Sequence, residues 1–149
     1  MKPLRVWAVL ALVWLVAACD KEGPQNVAQQ PKVKLPADQS DAETLGREVL
    51  ELVDRAVDYR GSHRGRPAAS LRQMGVDSLT PTTARHVLNV NREPVVTVQF
   101  RKDEGHVITS CRGDSHILEE ATINAGRFTI MCTFSSGAQR PVQVRGLGR

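Results

Sequence analysis

Between residues 41 and 60 the apolar positions recur at intervals of three and four, and from residue 86 onward the interval falls to two. In the first stretch Leu45, Val49, Leu52, Val53, Ala56 and Tyr59 line one side of a 3.6-residue period, which predicts an amphipathic helix with a buried face. Ser40 and Glu43 have the spacing of a capping box, where the serine oxygen takes an early amide and the glutamate returns to the cap amide. Glu43/Arg47 and Glu51/Arg55 place acid before base at i,i+4, each worth a few tenths of a kcal/mol on an exposed face. Gly61 is a natural stop, so the helix is expected over 41–60.

The connection that follows is punctuated by short helical signals. Ser70 and Gln73 repeat the capping-box spacing and Gly75 closes a single turn. Thr80-Pro81 offers a further helical start running to about Arg85. Then the two-residue period takes over in 86–90, 94–101, 106–111 and 127–134, with 141–144 as a short edge strand and 115–122 undecided between helix and strand. The expected fold class is α+β: one long N-terminal amphipathic helix packed on a three- to five-stranded, mostly antiparallel sheet, forming a single domain over 41–149.

Upstream of residue 41 the pattern is of another kind. Lys2 and Arg5 precede an unbroken apolar run, Val6 to Ala18, whose thirteen residues cover roughly 20 Å as a helix, short of the roughly 30 Å hydrocarbon core. That is the h-region of a signal peptide, residues 1–18. It ends in Val16-Ala17-Ala18-Cys19, which resembles the lipobox of bacterial lipoproteins. The resemblance implies that Cys19 becomes the lipidated N-terminus, with acyl chains such as palmitate that each bury about 0.8 kcal/mol per methylene. It also implies a cell-membrane location on the periplasmic or extracellular face, and Asp20 after the cysteine favours the inner membrane. Residues 19–40 carry Pro24, Pro31 and Pro36 and no apolar period, the character of a tether.

Removing the leader changes the composition that matters. The chain of 149 residues at +4 becomes 131 residues at +2, since Lys2 and Arg5 leave and no acid does. With four remaining aromatics (Tyr59, Phe100, Phe128 and Phe134), neither charge nor stacking surface points to a nucleic-acid partner.

Tyr59, His63, Gly65, Arg66, Pro67, Ser70, Leu71 and Met74 fall in an order similar to the helix-to-sheet junction of type IV pilins and the pseudopilins of type II secretion. The likeness covers about residues 41–100 and implies a head-domain shape of helix followed by antiparallel sheet. The chain departs from that family in having a lipobox where the prepilin peptidase site and hydrophobic stem would stand, so filament assembly through a stem is not expected.

With Cys19 assigned to lipid, Cys111 and Cys132 remain as an even pair in an exported chain, which favours a disulfide. The competing reading is a metal site or small enzyme centre drawing on His106, Cys111, His116 and Cys132, although zinc sites normally use tighter spacings. No G-x-S-x-G is present; Asp54/Asp58 and Glu119-Glu120 read as solvated carboxylates, and Arg112-Gly113-Asp114 as a turn after a strand. Arg60, His63, Arg64 and Arg66 form a basic stretch that is either a solvated loop or an interaction patch for anionic headgroups or an acidic partner. The sequence thus leads to a lipid-anchored, non-enzymatic interaction or assembly module with no catalytic residues, cofactor or metal. Its expected partners are the membrane and an envelope protein.

Overall fold

The computed structural model describes residues 36–145. The signal peptide, Cys19, Asp20 and the tether up to residue 35 lie outside the described residues.

The apolar stripe does form one helix, α1 (Ala37–Ser62), which buries Ala42, Leu45, Gly46, Val49, Leu52, Val53 and Ala56 on one side. It starts four residues earlier than the capping signal suggests, inside the stretch assigned to the tether. Pro36, extended at φ −50° and ψ 147°, precedes the first helical residue, and no side chain caps that end. Ser40 therefore sits within the helix, where its carbonyl accepts from the Thr44 hydroxyl at 3.0 Å. Glu43 does not close a capping box either: its carboxylate takes Gln39 Nε2 at 2.9 Å and the main-chain N–H of Arg145 at 2.7 Å, joining the helix to the end of the last strand. Of the two expected i,i+4 pairs, Glu51–Arg55 forms at 3.0 Å on the exposed face.

Past Ser62 the chain reverses through left-handed Arg64 (φ 56°) and Gly65 (φ 77°), whose amide donates to Arg60 O. A 3-10 turn, Leu71–Met74, follows and ends on left-handed Gly75, where the sequence places a stop. Its Gln73 side chain accepts from the amide of Ala69 at 2.7 Å, the reaching-back half of the expected box, displaced by one residue.

The helical turn expected over 80–85 does not form. Thr80 Oγ1 accepts the amides of Thr82 and Thr83 at 3.2 and 2.7 Å, so a threonine side chain closes a tight turn and competes with helix. The first strand begins there. The sheet is a meander of five antiparallel strands in the order β1 (Thr83–Val90), β2 (Glu93–Phe100), β3 (Ile108–Gly113), β4 (Phe128–Phe134) and β5 (Gln139–Val144). β1 and β2 join through Asn91-Arg92, both at positive φ (50° and 68°), the two-residue turn whose twist suits a hairpin. The undecided stretch is a helix, α2 (His116–Ile123), carrying the connection from β3 to β4.

α1 lies on one face of the sheet against β2, β3 and β5. Beneath it are buried Val96, Val98, Ile108, Cys111, Phe128, Ile130, Cys132 and Val144. Two glycines set how closely the layers approach. A Cβ on Gly46 would lie 2.5 Å from Val144 Cγ2 and 3.0 Å from Ile130 Cδ1; one on Gly113 would lie 2.9 Å from both Val49 Cγ1 and Ile117 Cδ1. No described helix is long and apolar enough to cross a membrane.

The contact at Gly46 sets helix propensity against packing. Leucine is a better helix former than glycine by about 0.8 kcal/mol, yet Gly46→Leu must force β-branched Val144 aside. We expect this substitution to lower stability by about 2 kcal/mol or more, measured as a fall in the denaturant midpoint of the folded domain.

Candidate functional site

Cys111 and Cys132 face each other directly across the β3–β4 pairing and form a disulfide. Both are essentially fully buried under α1. The pairing arises because alternate residues of each strand point inward and the register sets these two opposite each other.

His106 and His116 are not gathered around the cysteines. They lie at opposite ends of β3, whose six residues span roughly 20 Å at strand rise. His106 stacks on Phe100 with ring centroids 3.5 Å apart, and its Nδ1 is 3.0 Å from Asp41 Oδ1. The other oxygen of Asp41 accepts the main-chain amides of Val107 at 2.7 Å and Ile108 at 3.1 Å. Asp41 is thereby a buried joint that pins the first turns of α1 to the start of β3. His116 is exposed at the head of α2, its amide donating to Asp114 Oδ1 at 3.0 Å. Among the described residues, no three His, Cys, Asp or Glu side chains come together as a metal-binding group.

The basic stretch divides in two. Arg60 is occupied: its guanidinium reaches Glu93 Oε1 and the carbonyl of Arg92, both at 2.9 Å. Glu93 in turn accepts from the Ser115 hydroxyl at 2.9 Å, so one carboxylate ties α1, the β1–β2 turn and the entry to α2 together. The hydrogen bond from Arg60, then that from Ser115, holds the Glu93 carboxyl below the usual glutamate range. His63 is folded back on Tyr59, with rings stacked at 3.8 Å and Nδ1 2.8 Å from Tyr59 O. Arg64 and Arg66 are exposed, and among the described residues no carboxylate pairs with either.

The carboxylates that read as solvated differ among themselves. Asp54, Asp58 and Glu119 are exposed, while Glu120 accepts from the amide and hydroxyl of Thr129, both at 2.9 Å. Arg112 and Gly113 belong to β3, and Asp114 leads into α2.

Among the described residues, no element covers the sheet face turned away from α1. His86, Thr97, Arg112, Met131 and Pro141 form one row of cross-strand neighbours across all five strands on that face. In the row Met131 is 36% exposed, and beside it Leu88 is 63% and Val90 45% exposed. With Val95 and Pro141 they edge a shallow groove of about 510 Å³ that has Arg112 and Asp114 in its lining. Sequence reasoning missed this surface, although Leu88, Val90 and Val95 stand on the alternate positions that would expose it. It also missed Asp41, Glu93 and Glu48; the last holds Thr83 Oγ1 at 2.7 Å and Arg85 Nε at 3.0 Å. Their partners lie 22 to 67 residues away, beyond any local spacing rule.

No protein-family model, curated protein or solved structure matches the chain.

Two measurements check this geometry. Closing a loop of 21 residues contributes about 3 kcal/mol in the chain-entropy account, so the double change Cys111→Ala/Cys132→Ala should lower unfolding free energy by about that amount. Mass spectrometry of the unreduced chain should find no free thiol at either position. The second concerns Glu93. Because its folded pKa lies below the unfolded one, its contribution to stability is complete above the unfolded value and disappears as pH falls through the folded value. NMR titration should give a midpoint below that of an ordinary glutamate, and Arg60→Gln should raise it.

Proposed function

We propose that the chain is a lipid-anchored envelope protein, held by acyl groups on Cys19, whose folded head acts as a non-enzymatic interaction or assembly module. The observation that carries this reading is the uncovered sheet face. Small soluble domains seldom leave apolar side chains clustered on a sheet face, and such patches mark contact surfaces. Leu88, Val90 and Met131 gain nothing from α1, since they point away from it, and no described element buries them. The partner that fits is another envelope protein presenting an apolar face, with polar groups placed to meet Arg112 and Asp114 at the groove.

The alternative centre of His106, Cys111, His116 and Cys132 is weaker on the same geometry. Its cysteines are bonded to each other and His106 serves the Asp41 joint. The pilin-like reading is kept only for the head. A long helix leading through a basic turn into an antiparallel sheet is the order that resemblance implies, and attachment through lipid would replace a stem. Asp20 favours the inner membrane as the location.

Two experiments test the reading. Cys19→Ala should leave the precursor unprocessed or release the protein from the membrane fraction; unchanged processing and fractionation would overturn the anchor. Photocrosslinking residues placed at Leu88 and Met131 in living cells should yield the same discrete adduct, while the exposed α1 position Asp54 yields none. Absence of an adduct from the sheet face, or equal labelling from Asp54, would overturn the docking surface.

A further inference from the structure

The turn after α1 and the β1–β2 turn meet at one end of the domain. Gly65 and Glu93 line the same hollow of about 390 Å³, and Arg60 donates across it to Arg92 O. This brings Arg92, 26 residues beyond Arg66 in the chain, to the same tip as Arg64 and Arg66. All three arginines are exposed, and none has a carboxylate partner among the described residues. Glu93, which lines the hollow, is already committed to Arg60.

Two further features set the tip apart. Across residues 36–145 the charges balance at 14 basic and 14 acidic, so a tip of Arg60, Arg64, Arg66 and Arg92 against Glu93 is a local excess of +3 on a neutral domain. Arg64 and Arg92 also hold left-handed backbone, at φ 56° and 68°, where glycine would sit without strain. Arginine thus stands at two positions whose backbone would favour glycine.

We propose that this tip docks on an anionic phospholipid surface, giving the head a second attachment beside the lipid on Cys19; the choice of a membrane rests on the anchored reading above. The shape favours a surface over a discrete anion. The cations stand exposed on two turns, and the hollow between them is lined by the Arg60–Glu93 pair, whose charges cancel and leave no net attraction for a discrete anion. Chain length allows the contact. α1, 26 residues, is about 39 Å long, and the seventeen residues from Cys19 to Leu35 can span at most about 60 Å, enough for the tip to return to the plane that holds Cys19. Each cation beside an anionic membrane is worth about fivefold in partition, so the three give about a hundredfold. That is weak for a free domain, but tethering supplies an effective concentration in the millimolar range.

The test uses the mature chain, residues 19–149, with Cys19→Ser so that no acyl group competes. Sedimentation with vesicles of phosphatidylcholine containing 30% phosphatidylglycerol should carry the protein down, phosphatidylcholine alone should not, and 0.5 M salt should release it. Arg64→Gly/Arg66→Gln/Arg92→Gly should lower partition about a hundredfold with a melting temperature unchanged or raised. The corresponding triple lysine variant should keep both binding and fold. Equal binding to neutral vesicles, no binding to anionic ones, full partition in the glycine variant, or loss of partition in the lysine variant would each overturn the proposal. Because the protein tested carries no lipid, a negative result here is independent of how Cys19→Ala fractionates in cells.

Discussion

One helix has to cover a sheet wider than itself, and most of the architecture follows from that mismatch. Five strands at about 4.8 Å spacing make a layer roughly 20 Å wide, whereas a helix with its side chains is about 10–12 Å across. α1 meets this by touching β2, β3 and β5 along its length, with its N-terminal half beside β5 and its C-terminal end at the β1–β2 turn. The corners are filled by smaller pieces. Ile117 of α2 reaches into the space that Gly113 leaves beside Val49, and Leu71 of the 3-10 turn joins the same buried cluster. Gly46 lets the helix axis settle onto Val144 and Ile130, where any larger residue would lift it. Most of the buried apolar residues serve this one interface, and among the described residues the opposite sheet face, with Leu88, Val90 and Met131 exposed on it, meets no second layer.

A helix resting on a twisted sheet through aliphatic contacts can still slide, because such contacts are non-directional. Carboxylates fix its position. Near the N-terminus Asp41 takes two consecutive amides at the head of β3, and His106 closes the third side. Midway along, Glu48 holds Thr83 and Arg85 at the start of β1. At the C-terminus the direction of the bond reverses: Arg60 donates to Glu93 and to a main-chain carbonyl. Groups on the helix thus bind strand ends at three heights, so its register is set by hydrogen bonds and its stability by burial. The less exposed of these contacts carry more weight, since the half-exposed Arg60–Glu93 pair is screened by water in a way that Asp41 is not.

What was legible in the sequence is what depends on period. The stripe from Leu45 to Ala56 and the alternation in β2 and β4 report burial on one side, and burial on one side is what a helix or strand requires. Local chemistry proved less dependable. Ser40 and Glu43 have capping geometry, but Glu43 is drawn to the Arg145 amide, a partner 102 residues away that no spacing rule contains. Thr80-Pro81 reads as a helix start, yet the Thr80 hydroxyl takes the amides of Thr82 and Thr83, the Thr83 hydroxyl turns to Thr80 and Glu48, and a strand opens instead. The cysteine pair was legible by parity and export, and its register is now explained by strand alternation. The basic stretch was legible as charge and illegible as an arrangement. Two of its four members are consumed in holding the turn, and Arg92 arrives from a different hairpin.

These elements divide the molecule's labour by position along α1. The end where the chain enters is fastened to β3 and β5 through Asp41, Glu43 and Gln39, so tension on the preceding residues is passed directly into the sheet. The far end carries the positive charge that the rest of the neutral domain lacks, and its single carboxylate clamp spares Arg64, Arg66 and Arg92. Between them the sheet presents Leu88, Val90 and Met131 to the side. Under the anchoring proposed above, a head attached at one end, charged at the other and apolar on one flank would have a preferred orientation at an anionic surface. Orientation changes the encounter with a partner, because a flank held at a fixed height samples far fewer wrong poses than one that tumbles on a tether. Under the proposed docking, the tip and the sheet face would be coupled without touching: charge at the tip would fix the plane in which Leu88 and Met131 are offered.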